Sequence, residues 1–329
     1  MKPTFLDRLL HNWLTLRKPV GQLPAALLGM SCVLLCLAGW WFVTRGFEGE
    51  SRIVGPLTLP SPKETFGEFK NLWFEFSLTR NVLLTLRRVC IGFALALTIG
   101  IPVGVACGCF PRVQAFLSPL IMFGRNVPLA AVLPLMFVFF GVGEENKVMF
   151  IFTASIAFVI SDASRAIMDV SARYIDTAYT LGASRWQTIS KVLVPLASPT
   201  IFSACRQMFG LAFGYIMMAE SIKLSDDDVG GLGYQIQVFQ KRSFREHIYL
   251  IILVIPVIAL LIDQFLAWVQ RQLFPHVYGG DGVLRSLVRA VLVPWEQLKS
   301  AVFYQAPLKV DASRDGQERP SYPTEEGPK

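Results

Sequence analysis

From Leu23 to Val43 the chain carries no charged side chain, and five more long apolar runs follow it, separated by short polar connections. A helix crossing a hydrocarbon core of about 30 Å needs roughly 20 apolar residues at about 1.5 Å each. Val89 to Phe110 meets this without a charge, and Pro119 to Gly143 with one, Arg125. Lys147 to Met168, Pro199 to Ile222 and Ile248 to Gln270 meet it if Asp162 and Arg165, Arg206, and Asp263 are accommodated. The reading is therefore an all-α integral membrane protein of six transmembrane helices. Composition agrees: 53% of the 329 residues are hydrophobic and 17% charged, more apolar than a soluble domain tolerates.

Residues 1–22 are polar and basic, with Lys2, Arg8, Arg17 and Lys18. The run behind them is too long for a signal peptide and shows no evident small-residue cleavage site, so it is read as a retained first helix. The net charge of +7 comes from basic residues scattered among loops and helix ends instead of forming a stripe. That favours attraction to a membrane surface and excludes nucleic acid as a partner. The cysteines (Cys32, Cys36, Cys90, Cys107, Cys109 and Cys205) lie in or beside apolar runs. They match neither a zinc spacing nor a secreted disulfide framework, so no metal is assigned.

Within the second span Gly92, Ala96, Gly100, Gly104 and Gly108 recur every fourth residue. Small residues at that period let another backbone approach closely in lipid, and they predict a helix-packing seam. Pro102 in the same run predicts a bend. An ionisable group inside a span costs on the order of 3 kcal/mol, so it faces protein or water. Arg125 and Arg206 are the cationic candidates for an anion path; the alternatives are snorkelling to the cytoplasmic interface and, favoured over substrate contact, pairing with Asp162 or Asp263. Asn126 and Met217 are further path candidates, and Glu220, near the end of the fifth span, fits a gate or packing residue.

Between the fourth and fifth spans, residues 172–195 read as a short helix ended by Gly182, a turn, and a second short amphipathic helix halted by Pro195. Trp186, Ile189, Val192 and Leu193 fall at helical spacing on one side of the second piece. A helical elbow too short to span suits docking of a partner at the membrane face. Its residues resemble the coupling-loop signature of permeases of binding-protein-dependent ABC importers: Glu-Ala-Ala, three residues, Gly, nine residues, Ile, one residue, Leu-Pro. Here the register is Asp176-Thr177-Ala178, Gly182, Val192 and Val194-Pro195. Leu59-Pro-Ser-Pro62, Arg88-Val-Cys-Ile-Gly92-Phe, Pro128, Leu133-Pro134-Leu135, Phe140-Gly141, Leu181-Gly182-Ala183-Ser184, Glu220 and Gly231-Leu-Gly-Tyr234 are similar to the nitrate/sulfonate/taurine (NitT/TauT) class of that family.

The resemblance implies the type I ABC importer permease fold and a place in the inner (plasma) membrane of a bacterial cell, multi-pass, with both termini cytoplasmic. Partners implied are two ATP-binding subunits, a second permease subunit as a homodimer, an extracytoplasmic substrate-binding protein and the bilayer. The cargo implied is a small anionic nutrient such as nitrate, a sulfonate or taurine. Asp176, Thr177, Ala178, Gly182, Ala183, Ser184, Trp186 and Pro195 would couple to the ATPase. The chain has no GxxxxGK[ST] loop, so no cofactor is expected in it, and ATP and Mg would sit on the partner. It is not expected to be an enzyme, since His11, His247 and His276 are far apart and no nucleophile and base pair is evident. A secondary transporter is the alternative class, which should show inverted repeats.

Charge bias supports the topology weakly. Arg165, Arg173, Arg185 and Lys191 flank the elbow on the same side as the basic arm, but Lys223, Lys241, Arg242 and Arg245 fall on the other. After the permease domain, residues 23–270, residues 271–305 carry Leu284, Leu287, Val288, Val291, Trp295, Leu298 and Val302 at helical spacing, a basic amphipathic segment. Residues 306–329, rich in Pro, Ser and mixed charge, read as disordered.

Overall fold

The computed structural model describes residues 21–46, 52, 54–56, 58–222 and 230–278. The basic arm, the amphipathic run after residue 278 and the tail after residue 306 fall outside these. The chain divides into two units, 1–270 and 271–329. Every described element is helical: α1 (Gln22–Val43), α2 (Pro62–Gly67), α3 (Phe69–Phe74), α4 (Leu78–Cys109), α5 (Pro111–Asn126), α6 (Leu129–Phe140), α7 (Glu144–Met168), α8 (Ala172–Thr180), α9 (Arg185–Thr188), a π-helical turn (Ile189–Leu193), α10 (Val194–Glu220), α11 (Leu232–Lys241), α12 (Arg245–Leu273) and α13 (Pro275–Tyr278).

The centre is α4 against α7. Gly92, Gly100, Gly104 and Gly108 meet Ile151, Val159, Ala163 and Ile167 respectively, at one constant sequence offset. A Cβ at Gly104 would lie 2.6 Å from the Ala163 Cβ and 2.7 Å from the Ile160 carbonyl. Only glycine admits that approach. The constant offset also means that the two helices run parallel, so the chain between them must return across the bundle.

That return is α5 plus α6, and it corrects the expectation of one continuous third span from Pro119 to Gly143. The pair is bent by 102° at a short break. Val127 takes the extended conformation (φ −66°, ψ 125°) that a following proline imposes, so α5 stops at Asn126 and Pro128 precedes α6. Five described helices are long and apolar enough to cross a membrane, and the bent pair makes six. The second span begins at Leu78, well before Val89, and α4 runs unbroken through Pro102. The fourth begins at Glu144, placing two carboxylates on the electropositive helix start.

A second correction concerns Pro195. It does not halt a separate helix: α9, the π turn and α10 join in one helical run, Arg185–Glu220. The wide π turn lies where the Pro195 ring would otherwise meet the preceding turn, and its last bond runs from Val194 N–H to the Ile189 carbonyl.

α10 returns antiparallel to α7, with Leu193, Ala197 and Ile201 clustering on Ala163, Ala166 and Ile167. α12 runs opposite to α10 and donates Gln270 Nε2 to the Pro199 carbonyl at 3.2 Å. α1 stands apart, its side chains mostly exposed, as an all-round apolar lipid-facing helix should be. It is tied by Trp40 Nε1 to the Pro60 carbonyl at 3.0 Å. Beside that tie, Ser61 caps α2 in a capping box with Glu64. Hydrogen bonding from Arg52 holds the Glu64 carboxyl down at about 2. The bundle thus has an elbow end, with Phe110, Met168, α8 and α9, and an opposite end, with Ser77, Glu144, Glu220 and Gly231.

Candidate functional site

The elbow is built by local chemistry. Gly182 adopts φ +79°, and its N–H donates to the Tyr179 carbonyl at 2.9 Å while the Ala183 N–H reaches back to the Ala178 carbonyl at 2.9 Å. This six-to-one and five-to-two pair is a Schellman motif, which closes α8 and requires the left-handed residue. Two residues later Ser184 opens α9. Its Oγ accepts from Gln187 N–H at 3.4 Å, and the Gln187 side chain accepts from Ser184 N–H at 2.8 Å. The turn from Ala178 to Gln187 is therefore closed by its own hydrogen bonds.

Ala178 and Leu193 are buried, with Ile175 and Ile189 packed beside the inner cluster. The opposite face shows Tyr174, Tyr179, Leu181 (82% exposed) and Trp186 (74%) to the outside. Asp176, Thr177 and Pro195 are exposed as well. Trp186 is far more exposed than Leu193, and its ring meets Phe110 edge-on at 6.4 Å.

At the opposite end Arg88, 1% exposed, joins three spans. Its Nη1 donates to Glu220 Oε1 at 2.7 Å and to the Gly230 carbonyl at 3.0 Å. Its Nε donates to Glu144 Oε2 at 2.9 Å, and its Nη2 pairs with Glu144 Oε1. Thr85 Oγ1 lies 2.9 Å from both Glu220 oxygens and accepts from Leu232 N–H at 3.0 Å. Gly233 N–H donates to Glu220 Oε2 at 3.1 Å, and Gly231 N–H to Asn81 Oδ1 at 2.8 Å. A Cβ at Gly231 would fall 2.4 Å from the Glu220 carboxyl carbon. Buried charges survive when paired and fully hydrogen-bonded, and this cluster meets that condition.

Glu220 is consequently an interior anchor and lies on no open surface. Sequence reasoning named it but missed Asn81, Thr85, Arg88 and Glu144 as its companions. The signal available was that a carboxylate in an apolar run needs a cation, and Arg88 heads such a run.

The remaining candidates divide. Arg206 Nε lies 3.1 Å from Asp263 Oδ1, pairing α10 with α12. Met217 packs against the core. Arg125 and Asn126 line a separate cavity of about 400 Å³ between α4, α5 and α7, with Ser118, Phe158, Ser161, Ser164 and Arg165 among its walls. There Arg125 Nη1 donates to Ser161 Oγ at 2.7 Å and its guanidinium sits 5.3 Å over the Phe158 ring. Asn126 Nδ2 donates to the Met122 carbonyl at 2.8 Å. The structure does not bring Arg125, Arg206 and Glu220 together.

Residues 100–277 match the family described as binding-protein-dependent transport system inner membrane component. The taurine transport system permease protein TauC of Escherichia coli is 31% identical over 274 residues, 82% of this chain and 96% of TauC. The bicarbonate transport system permease protein CmpB of Synechococcus elongatus is 27% identical over 261 residues, 78% of this chain and 92% of CmpB. Among solved structures, the MetNI methionine ABC transporter in inward-facing conformations superposes with a TM-score of 0.53 at 19% identity, over 62% of this chain and 97% of that one. That likeness concerns the fold.

Proposed function

The chain belongs to the family of binding-protein-dependent transport system inner membrane components, and from that premise we propose that this permease subunit imports a small anionic nutrient by coupling its spans, through the elbow, to a separate ATPase. The observation that carries the coupling role is the elbow itself. It is a self-closed turn with an outward row of Tyr174, Tyr179, Leu181 and Trp186, and exposed aromatic and aliphatic side chains at a rigid site are what a docking partner buries.

In this reading two ATP-binding subunits, carrying ATP and Mg, grip the elbows of two copies of this chain, and an extracytoplasmic binding protein delivers the solute. The elbow end faces the cytosol. The start of α1 and the end of α12 lie at that same end of the bundle, which supports a cytosolic side for both termini. Motion enters at α8 and α9. It passes along the joined run Arg185–Glu220, about 54 Å at 1.5 Å per residue, to Glu220 and the ion-paired cluster at the far side. A stiff rod anchored at one end and pushed at the other converts closure of the ATPases into movement of the outer segments. An anionic cargo is supported by the taurine and bicarbonate relatives and by the cationic lining of the Arg125 cavity.

Gly182→Val tests the coupling role. A β-branched residue at φ +79° is strained, yet nothing lies within 4 Å of its Cβ, so the bundle should assemble while the turn is lost. The expected result is loss of ATPase co-purification or hydrolysis that no longer responds to substrate. Unchanged assembly together with unchanged substrate-stimulated hydrolysis would reject the docking role, as would labelling of a Leu181→Cys variant only from outside the cell.

A further inference from the structure

We infer that the cavity between α4, α5 and α7 is a binding site for a small oxyanion, held by Arg125 and by the hydroxyls of Ser161 and Ser118, with Arg165 at its edge. This deepens the importer reading by giving the cargo a named seat, and it rests on that reading for the identity of the ligand as cargo.

Ser161 Oγ decides the chemistry. It takes Arg125 Nη1 at 2.7 Å and Arg165 Nη2 at 3.3 Å, which occupies both lone pairs and leaves its O–H as a donor. Two guanidinium groups converging on one neutral oxygen repel each other, and an anion beside them relieves that repulsion. Asp162, 3.3 Å from Arg165 Nη2, offsets that cation. Arg125 has only Ser161 and the face of Phe158 among the described contacts, so its other N–H groups remain for a ligand.

The rest of the lining agrees. No carboxylate is among the residues of the cavity wall. Ser118 and Ser161 place further hydroxyls on the same wall, donors that an oxyanion accepts from. Asn126 spends one of its two amide N–H groups on Met122, leaving the second donor and the oxygen at the rim. A planar fork beside hydroxyl donors suits a sulfonate, carboxylate or nitrate-like group. Ser161 lies about two turns from the elbow end of α7, so the site is set inside the bundle with a short route to that end.

Two sources present this chemistry, a solute and an anionic lipid headgroup. The test uses the full chain in nanodiscs of phosphatidylcholine alone, with methanesulfonate as the probe against chloride at equal ionic strength. The readout is the thermal unfolding midpoint, which a ligand of the folded state raises. A saturable rise is expected in the wild type. Arg125→Gln should weaken half-saturation by roughly tenfold or more, Arg125→Lys should recover part of it, and Ser161→Ala should cost about threefold.

If Arg125→Gln fails to fold, Ser161→Ala and Arg125→Lys carry the comparison, and unchanged half-saturation in both overturns the proposal. Absence of a saturable rise in the wild type overturns it as well. A rise produced by phosphatidylglycerol in the discs, lost in the Arg125 variants and not reproduced by methanesulfonate, assigns the seat to lipid and overturns the solute site. No ATPase is present in this assay. Failure here therefore leaves the elbow reading intact, and failure of the Gly182→Val test leaves the anion site intact.

Discussion

The two ends of the bundle solve opposite problems with the same chemistry. Opposite the elbow, Arg88, Glu220, Thr85 and Asn81 are buried and spend their hydrogen-bonding capacity on one another and on the backbone of residues 230–233. At the elbow the backbone satisfies itself through the Gly182 and Ser184 caps, and the large side chains stay outside. The first end is held by buried groups that satisfy one another. The second is shaped before any partner arrives and retains an apolar face for it. A transducer needs both, since a push on α8 and α9 does work only if the far end of α10 is held.

The sharpest way to break this contrast is to unpair the interior end. Arg88→Ala leaves the Glu220 carboxylate buried without its cation and should cost about 3–5 kcal/mol, read as a collapse of the thermal midpoint in detergent. Arg88→Met combined with Glu220→Met should recover much of the loss, since apolar replacement of both partners removes the stranded charge. A single variant as stable as the wild type would mean that the cluster anchors nothing. Next in size is Gly104→Val in the seam. With Ala163 and the Ile160 carbonyl already under 3 Å from an added Cβ, overpacking should cost about 1–3 kcal/mol. Gly29→Ala in α1, where nothing lies within 4 Å, serves as control and should be neutral or slightly stabilising.

What the sequence made legible was whatever depends on neighbours along the chain. The four-residue glycine period is a property of one helix, and so is the Gly182 to Ser184 turn, because both caps are local hydrogen bonds. What it hid depends on distance or on compensation. Arg88 and Glu220 are 132 positions apart, and no periodicity links them. Pro195 looks like a stop until the π turn before it is known to make room for the ring. Pro128 did carry its message, since the residue before a proline leaves the helical region, but the apolar run across Val127 masked the break. Arg125 was visible as an oddity in a span, whereas its sharing of Ser161 with Arg165 exists only after α5 folds onto α7.

The smaller predictions sharpen the elbow side. Ser184→Ala removes the capping bond that Ser184 Oγ accepts from the Gln187 N–H and should cost about 1 kcal/mol locally. Substrate-stimulated hydrolysis should fall while the global midpoint barely moves, because the caps belong to the turn and not to the core. If the midpoint fell as far as in Gly104→Val, the elbow would be part of the bundle's stability and the contrast between the ends would fail.

Trp186→Ala should have the least effect on folding, within about 0.5 kcal/mol, since the side chain is 74% exposed and its described ring contact is the edge of Phe110 at 6.4 Å. Its effect on assembly should be the reverse. A large aromatic at a docking surface carries a disproportionate share of binding energy, so the variant should co-purify with far less ATPase at an unchanged thermal midpoint. Trp186→Phe separates the two ways the indole could act. If the ring fills an apolar pocket on the partner, phenylalanine retains most of the association; if the indole N–H is what the partner reads, phenylalanine behaves like alanine. Equal ATPase recovery from Trp186→Ala and wild type would move the docking face away from α9 and onto Tyr174, Tyr179 and Leu181 of α8 and its cap.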